Sequence, residues 1–120
     1  MGGDSNFERR GSVRVEVHLS VQVAEARATI HMTVASDISV GGMFIHELLP
    51  FEIGTNLLLD FQLPGTQRQL KCSAEVAHKR DHFLEGMPNR PIGNGLRFVG
   101  LSDDDRAMIL HYIRDRDLGR

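Results

Sequence analysis

Residues 13–24 read VRVEVHLSVQVA, and this alternation decides the fold. Val13, Val15, Val17, Leu19, Val21 and Val23 hold the odd positions, while Arg14, Glu16, His18, Ser20 and Gln22 hold the even ones. A period of two with β-branched residues on one side is the pattern of a strand buried on one face. Residues 26–38 alternate as well. They predict a second strand with Ala28, Ile30, Met32 and Val34 inward and Arg27, Thr29, His31, Thr33 and Asp37 outward. Gly41-Gly42 ends it. A short third strand follows over 43–49, closed by Pro50 and Gly54. Leu57, Leu59, Phe61 and Leu63 mark a fourth strand that stops at Pro64-Gly65. Leu70, Cys72, Ala74, Val76 and His78 share one face of a fifth, residues 82–93 read as a loop, and 95–101 as a sixth strand.

The periodicity then changes. Ser102 is placed to cap a helix, and Asp105, three residues on, completes the pattern of a capping box. Asp103, Asp104 and Asp105 suit the positive end of a helix dipole, and Arg114, Arg116 and Gly119 suit the other end. Ile109, Leu110, Tyr112 and Ile113 form an apolar stripe at helical spacing. Six short strands followed by one helix predict an all-β fold with a C-terminal helix, a six-stranded antiparallel barrel.

At 120 residues the chain is one domain, and 41% hydrophobic with 25% charged content is ordinary for a globular protein. The net charge of −2 supplies no global field for DNA or RNA. Any bound anion must be held by local arginines. A single cysteine, Cys72, excludes an intrachain disulfide and fits a reducing compartment. Without a signal peptide or an apolar run near 18 residues, a cytoplasmic location and no membrane insertion are expected.

Two short motifs carry the chemistry. Arg10-Gly-Ser-Val-Arg14 is an RxxxR, and Asp37-Ile38-Ser39-Val40-Gly41-Gly42 is a DxSxxG. Side-chain parity puts Arg10 and Arg14 on the outward face of the first strand and Asp37 and Ser39 on the outward face of the second. A ligand held by them lies on the barrel's outer surface, near its rim. Arginine forks bind phosphate oxygens two at a time, stack on flat rings and bond the O6/N7 edge of guanine. A carboxylate accepts from the N1–H and N2–H groups of guanine, and a serine hydroxyl donates or accepts beside it. Gly41 and Gly42 allow a bulge or tight turn that exposes backbone N–H groups. The toolkit suits a phosphate-bearing purine.

In these motifs, in the Gly95-x-x-Phe98 strand and in Leu101-Ser102 opening the helix, the chain resembles a PilZ domain, the bacterial receptor module for cyclic di-GMP. The resemblance covers nearly the whole chain and is to the stand-alone, single-domain type. It implies a six-stranded antiparallel barrel with a C-terminal helix, residues 13–120. A flexible arm, residues 1–12, carries the start of RxxxR and orders on binding. It also implies that Arg10, Arg14, Asp37, Ser39, Gly41 and Gly42 bind the ligand. Arg9, the residue before RxxxR, is of the kind that goes with an intercalated pair of cyclic di-GMP molecules rather than one. A receptor or adaptor of this type passes the signal to a protein effector in motility, type IV pilus or biofilm control.

No nucleophile elbow, catalytic Cys/His motif or P-loop is present, so no enzyme is expected. A protein–protein adaptor that binds no nucleotide is the rival class. A single-stranded nucleic-acid binder needs surface aromatics on a basic groove, and one Tyr, no Trp and a negative net charge argue against it. The six histidines, at 18, 31, 46, 78, 82 and 111, lack metal-binding spacing. His18, His31 and His46 fall where they can neighbour one another, but solvated strand histidines and no metal are expected. Cys72 is expected in the core.

Overall fold

Alternation and turn residues divide the chain into six strands and a helix. The computed structural model describes residues 13–25, 30–82 and 91–117. The strands are β1 (Val15–Glu25), β2 (Ile30–Ile38), β3 (Gly42–His46), β4 (Asn56–Gln62), β5 (Gln69–Arg80) and β6 (Gly93–Phe98), and the helix is α1 (Asp103–Asp117). Every pairing is antiparallel, and the order β1-β2-β3-β6-β5-β4 closes the sheet into a barrel. Closure leaves no free edge to template aggregation. No helix among the described residues is long and apolar enough to cross a membrane.

The barrel is filled by the residues that alternation selects. Leu19, Val21 and Val23 of β1, Leu57, Leu59 and Phe61 of β4, and Leu70, Cys72, Ala74 and Val76 of β5 are buried, with Met43 and Ile45 of β3. Ile109 and Ile113 of α1 join the same core. Ser102 caps the helix, its hydroxyl accepting from the Asp105 N–H at 3.1 Å. The other half of the capping box is not what Asp105 does. Its carboxylate instead lies 3.0 Å from Arg68 in the β4–β5 connection, an ion pair without hydrogen-bond geometry. At the far end of the helix, Arg116 donates to the Glu16 carbonyl of β1 at 2.7 Å. The helix is therefore tied to the barrel at both ends.

The structure corrects several expectations. On β2 the inward residues are Thr33 and Ala35, while Ile30 and Met32 are exposed. Polarity alone misassigned this face because pairing register, not side-chain type, decides which side of a strand is inside. On β5 a register shift between Val76 and His78 turns His78 out of the buried row. Strand β3 stops at His46, leaving Leu48 and Leu49 exposed, and β6 begins at Gly93 and ends at Phe98. Leu110 lies off the buried stripe of the helix. The proposed arm, residues 1–12, lies outside the described residues, as do Arg27, Ala28, Thr29 and Gly119.

Burial pushes the Cys72 thiol up from its ordinary 9.0 to about 11, and the negative charge of Asp105 adds to the effect. The folded state thus prefers the neutral thiol. Because the folded value lies above the unfolded one, the stability this contributes is complete below the unfolded value and is lost as pH rises toward the folded one. Wild-type stability should fall between about pH 8 and about pH 10.5, and the fall should be smaller in Cys72→Ala. Urea midpoints at the two pH values measure it; equal losses in both proteins contradict the assignment.

Candidate functional site

One row of residues crosses the outer surface of five strands. Glu16 on β1 faces Asp37 on β2, Asp37 faces Phe44 on β3, Phe44 faces Gly95 on β6, and Gly95 faces His78 on β5. A bulge interrupts β2 between Ala35 and Asp37, and another interrupts β5 between Val76 and His78. In both, two residue steps on the bulged strand oppose one on its partner. Bulges re-aim side chains and sharpen the local twist. Here they aim Asp37 and His78 outward on either side of the Phe44–Gly95 pair.

The row forms the floor of an open cleft of about 730 Å³, bordered by Arg14 and Ser36 at one side and by His46, Arg80 and Pro91 at the other. A more apolar groove of about 430 Å³, lined by Ile30, Leu58 and Cys72 among others, contains no motif residue. The motif residues Arg14 and Asp37 lie in the larger cleft.

Arg14 and Asp37 meet there. The Arg14 guanidinium donates to the Asp37 carboxylate at 2.6 Å, and the side chains are 47% and 30% exposed. A pair this open to water contributes under about 1 kcal/mol, so it orients both groups without locking them. RxxxR and DxSxxG, 23 residues apart at this contact, therefore reach one another through the β1–β2 pairing.

The rest of DxSxxG is built differently from the parity expectation. Ser39 does not point outward; it is 1% exposed. Its hydroxyl accepts from the Gly41 and Gly42 N–H groups at 3.1 Å each, and the Ser39 N–H donates to the Gly42 carbonyl at 2.8 Å. The backbone N–H groups expected to be exposed are thus already engaged by the serine. The physical reason is the turn after β2, which must satisfy its own donors before it can be buried. Gly42 permits a close approach of strands: a Cβ there stands 1.8 Å from the Leu96 carbonyl oxygen of β6. Gly41 is exposed, and a Cβ on it meets only the Ser39 hydroxyl, at 3.8 Å. Arg9 and Arg10 lie outside the described residues.

Most of the cleft lining was not among the expected site residues, and Phe44, His46, His78 and Arg80 form its aromatic and basic wall. The Arg80 guanidinium carbon sits 4.9 Å from the Phe44 ring centroid, and the edge of Phe44 meets His46 at 6.2 Å between centroids. Gly95 lets the His78 ring lie down against the sheet, since a Cβ at that position comes within 3.1 Å of His78. Asn94, buried beside it, fastens the same corner. Its amide donates to the Phe51 and His78 carbonyls at 3.0 Å each, and its carbonyl oxygen accepts from the Phe51 N–H at 2.8 Å. The sequence signal for this wall was the polar and aromatic run at His78, Lys79 and Arg80 ending an apolar strand. Its proximity to DxSxxG is a matter of strand order.

Of the three histidines, His31 and His46 line one groove beside Glu47, and His18 stands apart. His31 pairs with Glu47 at 2.9 Å and stacks on Phe51, His46 enters the cleft, and His18 lines a different groove. Among the described residues no three His, Cys, Asp or Glu side chains are grouped to hold a metal.

The comparisons with known proteins agree with this fold. The family model for the PilZ domain matches residues 8–115. The solved structure of the Bacillus subtilis inhibitor of motility (MotI/DgrA) is 26% identical with a TM-score of 0.77, over 93% of this chain and 53% of that one. This chain spans about half the length of the Bacillus protein. The PilZ domain of CeSA from a cellulose-synthesizing bacterium is 16% identical with a TM-score of 0.59, over 88% and 99% of the two chains. The PilZ domain of YcgR from Escherichia coli, solved with c-di-GMP, is 15% identical with a TM-score of 0.64, over 92% and 94%. At those identities the last two show the fold alone. No curated protein sequence matches the chain.

The two glycines of the turn should differ sharply on substitution. Gly42→Ala drives a methyl group into a backbone carbonyl that cannot swing away, and should cost on the order of 3 kcal/mol. Gly41→Ala should change stability by less than about 1 kcal/mol. Urea unfolding of the two variants without ligand makes the comparison, and equal midpoints contradict it.

Proposed function

The chain belongs to the PilZ domain family, and from that membership we propose that it is a receptor for cyclic di-GMP that passes the messenger's presence to a protein partner. One observation carries the reading: Arg14 of RxxxR and Asp37 of DxSxxG touch at 2.6 Å inside a single cleft. The ligand offers each of them a better partner. A phosphate replaces the carboxylate on the Arg14 fork, and the guanine N1–H and N2–H groups replace the guanidinium on Asp37. The exposed pair that is given up is weak, so the exchange costs little. His78, lying against Gly95, supplies a floor beside Phe44 on which a flat base can lie.

Within this proposal Arg10 joins Arg14 on the phosphates, Ser39, Gly41 and Gly42 hold the shape of the turn under the base, and Arg9 meets the additional charge of a second, intercalated ligand molecule. The solved neighbour with c-di-GMP supports the ligand class, and the Bacillus inhibitor of motility supports motility control as the output. The partner is a protein effector that reads the liganded surface.

Calorimetric titration tests the receptor reading. Cyclic di-GMP should bind, and GTP and cyclic di-AMP should bind far more weakly or not at all. Arg10→Ala, Arg14→Ala and Asp37→Ala should each weaken binding by about 30- to 1,000-fold, the loss of roughly 2–4 kcal/mol for a charged, forked contact. Arg14→Lys should recover only part, because lysine lacks the fork. No binding by wild type points to the rival adaptor that uses no nucleotide.

Stoichiometry tests the role of Arg9. Wild type should saturate with two ligand molecules per chain and Arg9→Leu with one. A value of one in both assigns Arg9 to solvent.

A further inference from the structure

We propose that Arg80 is a binding residue of the cleft: its guanidinium, backed on one face by Phe44, stacks with the other on a purine ring of the ligand. The inference rests on the receptor reading above and deepens it, since neither motif contains Arg80.

Four observations converge. Arg80 closes β5 opposite Gly93 and lines the same cleft as Arg14 and Asp37. Its guanidinium carbon lies 4.9 Å from the Phe44 ring centroid, within the range of a cation–π contact. Its Nη1 donates to the Pro91 carbonyl at 3.1 Å, which fixes the plane of the group. Among the described residues no carboxylate pairs with it. The neighbouring acids are already engaged, Glu52 with Lys79 and Asp81 with Lys79 and His82. Arg14, by contrast, is neutralised by Asp37.

A half-buried guanidinium with no carboxylate partner among the described residues is a positive group able to take one. This one is also held in place before the ligand arrives, so little rotamer freedom is lost on binding. The choice of a ring over a phosphate follows from geometry. One face and one edge of Arg80 are occupied, by Phe44 and by Pro91, and the floor beside it consists of flat side chains, Phe44 and His78. Arginine stacked between an aromatic ring and a base uses its planar, weakly hydrated surface, which lysine does not possess. The cleft then divides its labour, with Arg14 at the β1 side for oxygens and Arg80 at the β5 side for a base.

The test is titration of cyclic di-GMP into wild type, Arg80→Met and Arg80→Lys, with the unliganded melting temperature of each recorded as a control on folding. Methionine keeps the apolar stem over Phe44 and removes the plane and the charge. Arg80→Met should bind about tenfold or more weakly, the scale of a lost base-stacking contact. Arg80→Lys should remain within about threefold of Arg80→Met, because charge without a plane does not stack. Wild-type affinity in Arg80→Met overturns the proposal and leaves the receptor reading standing. Wild-type affinity in Arg80→Lys overturns the stacking assignment in favour of a charge contact. If Arg80→Met fails to fold, Arg80→Lys decides by the same criterion. Failure of wild type itself to bind, with Arg80→Lys equally silent, overturns the receptor reading and this proposal with it.

Discussion

Two β-bulges, one on β2 before Asp37 and one on β5 before His78, set the outer surface of this barrel. Each puts two residue steps against one on the neighbouring strand, and they flank the Phe44–Gly95 pair at the join of β3 and β6. On β2 the change of phase is direct. Thr33 and Ala35 are inside before the bulge, and Ile38 is inside after it. A barrel of this size needs sharp local twist to close, and bulges provide it where the side chains must also be redirected. The same distortion that closes the barrel makes the cleft.

Around those bulges the backbones run unusually close, and small polar groups make the approach possible. Gly42 leaves room for the Leu96 carbonyl, and the buried Ser39 hydroxyl takes up two N–H groups of the turn it begins. Asn94 satisfies three backbone groups from the Phe51 and His78 segments. Buried polar side chains with every bond made add rigidity instead of cost. DxSxxG is in this light a folding device: its aspartate lines the cleft, while its serine and second glycine hold the turn and the close strand contact.

Charge is distributed in the same economical way. The chain is slightly acidic overall, yet two guanidinium groups project into one cleft, one held by a carboxylate and one by an aromatic ring. Local geometry, not net charge, sets the charge that this cleft presents. The ends of α1 are fastened to the barrel by Asp105–Arg68 and by Arg116 on the Glu16 carbonyl, so the last turn of the helix bears on the strand that carries the cleft's first residues.

Much of this was legible in the chain itself. The alternation of β1, β4 and β5 selected the core, Pro64-Gly65 and Gly41-Gly42 marked turns, and Ser102 announced the helix, because each signal is local: a two-residue period, a fixed φ, a cap within one turn. The motifs RxxxR and DxSxxG were legible for the same reason. What the sequence could not disclose depended on strands meeting from far apart. The inward face of β2, the outward turn of His78 and the burial of Ser39 follow from register and bulges, which are settled between strands and not within one. Arg80 stands over Phe44, 36 positions away, only because β6 lies between β3 and β5 in the closed barrel. Local periodicity determined which residues form strands and which form the core; long-range pairing decided which face each strand shows and which side chains share the cleft.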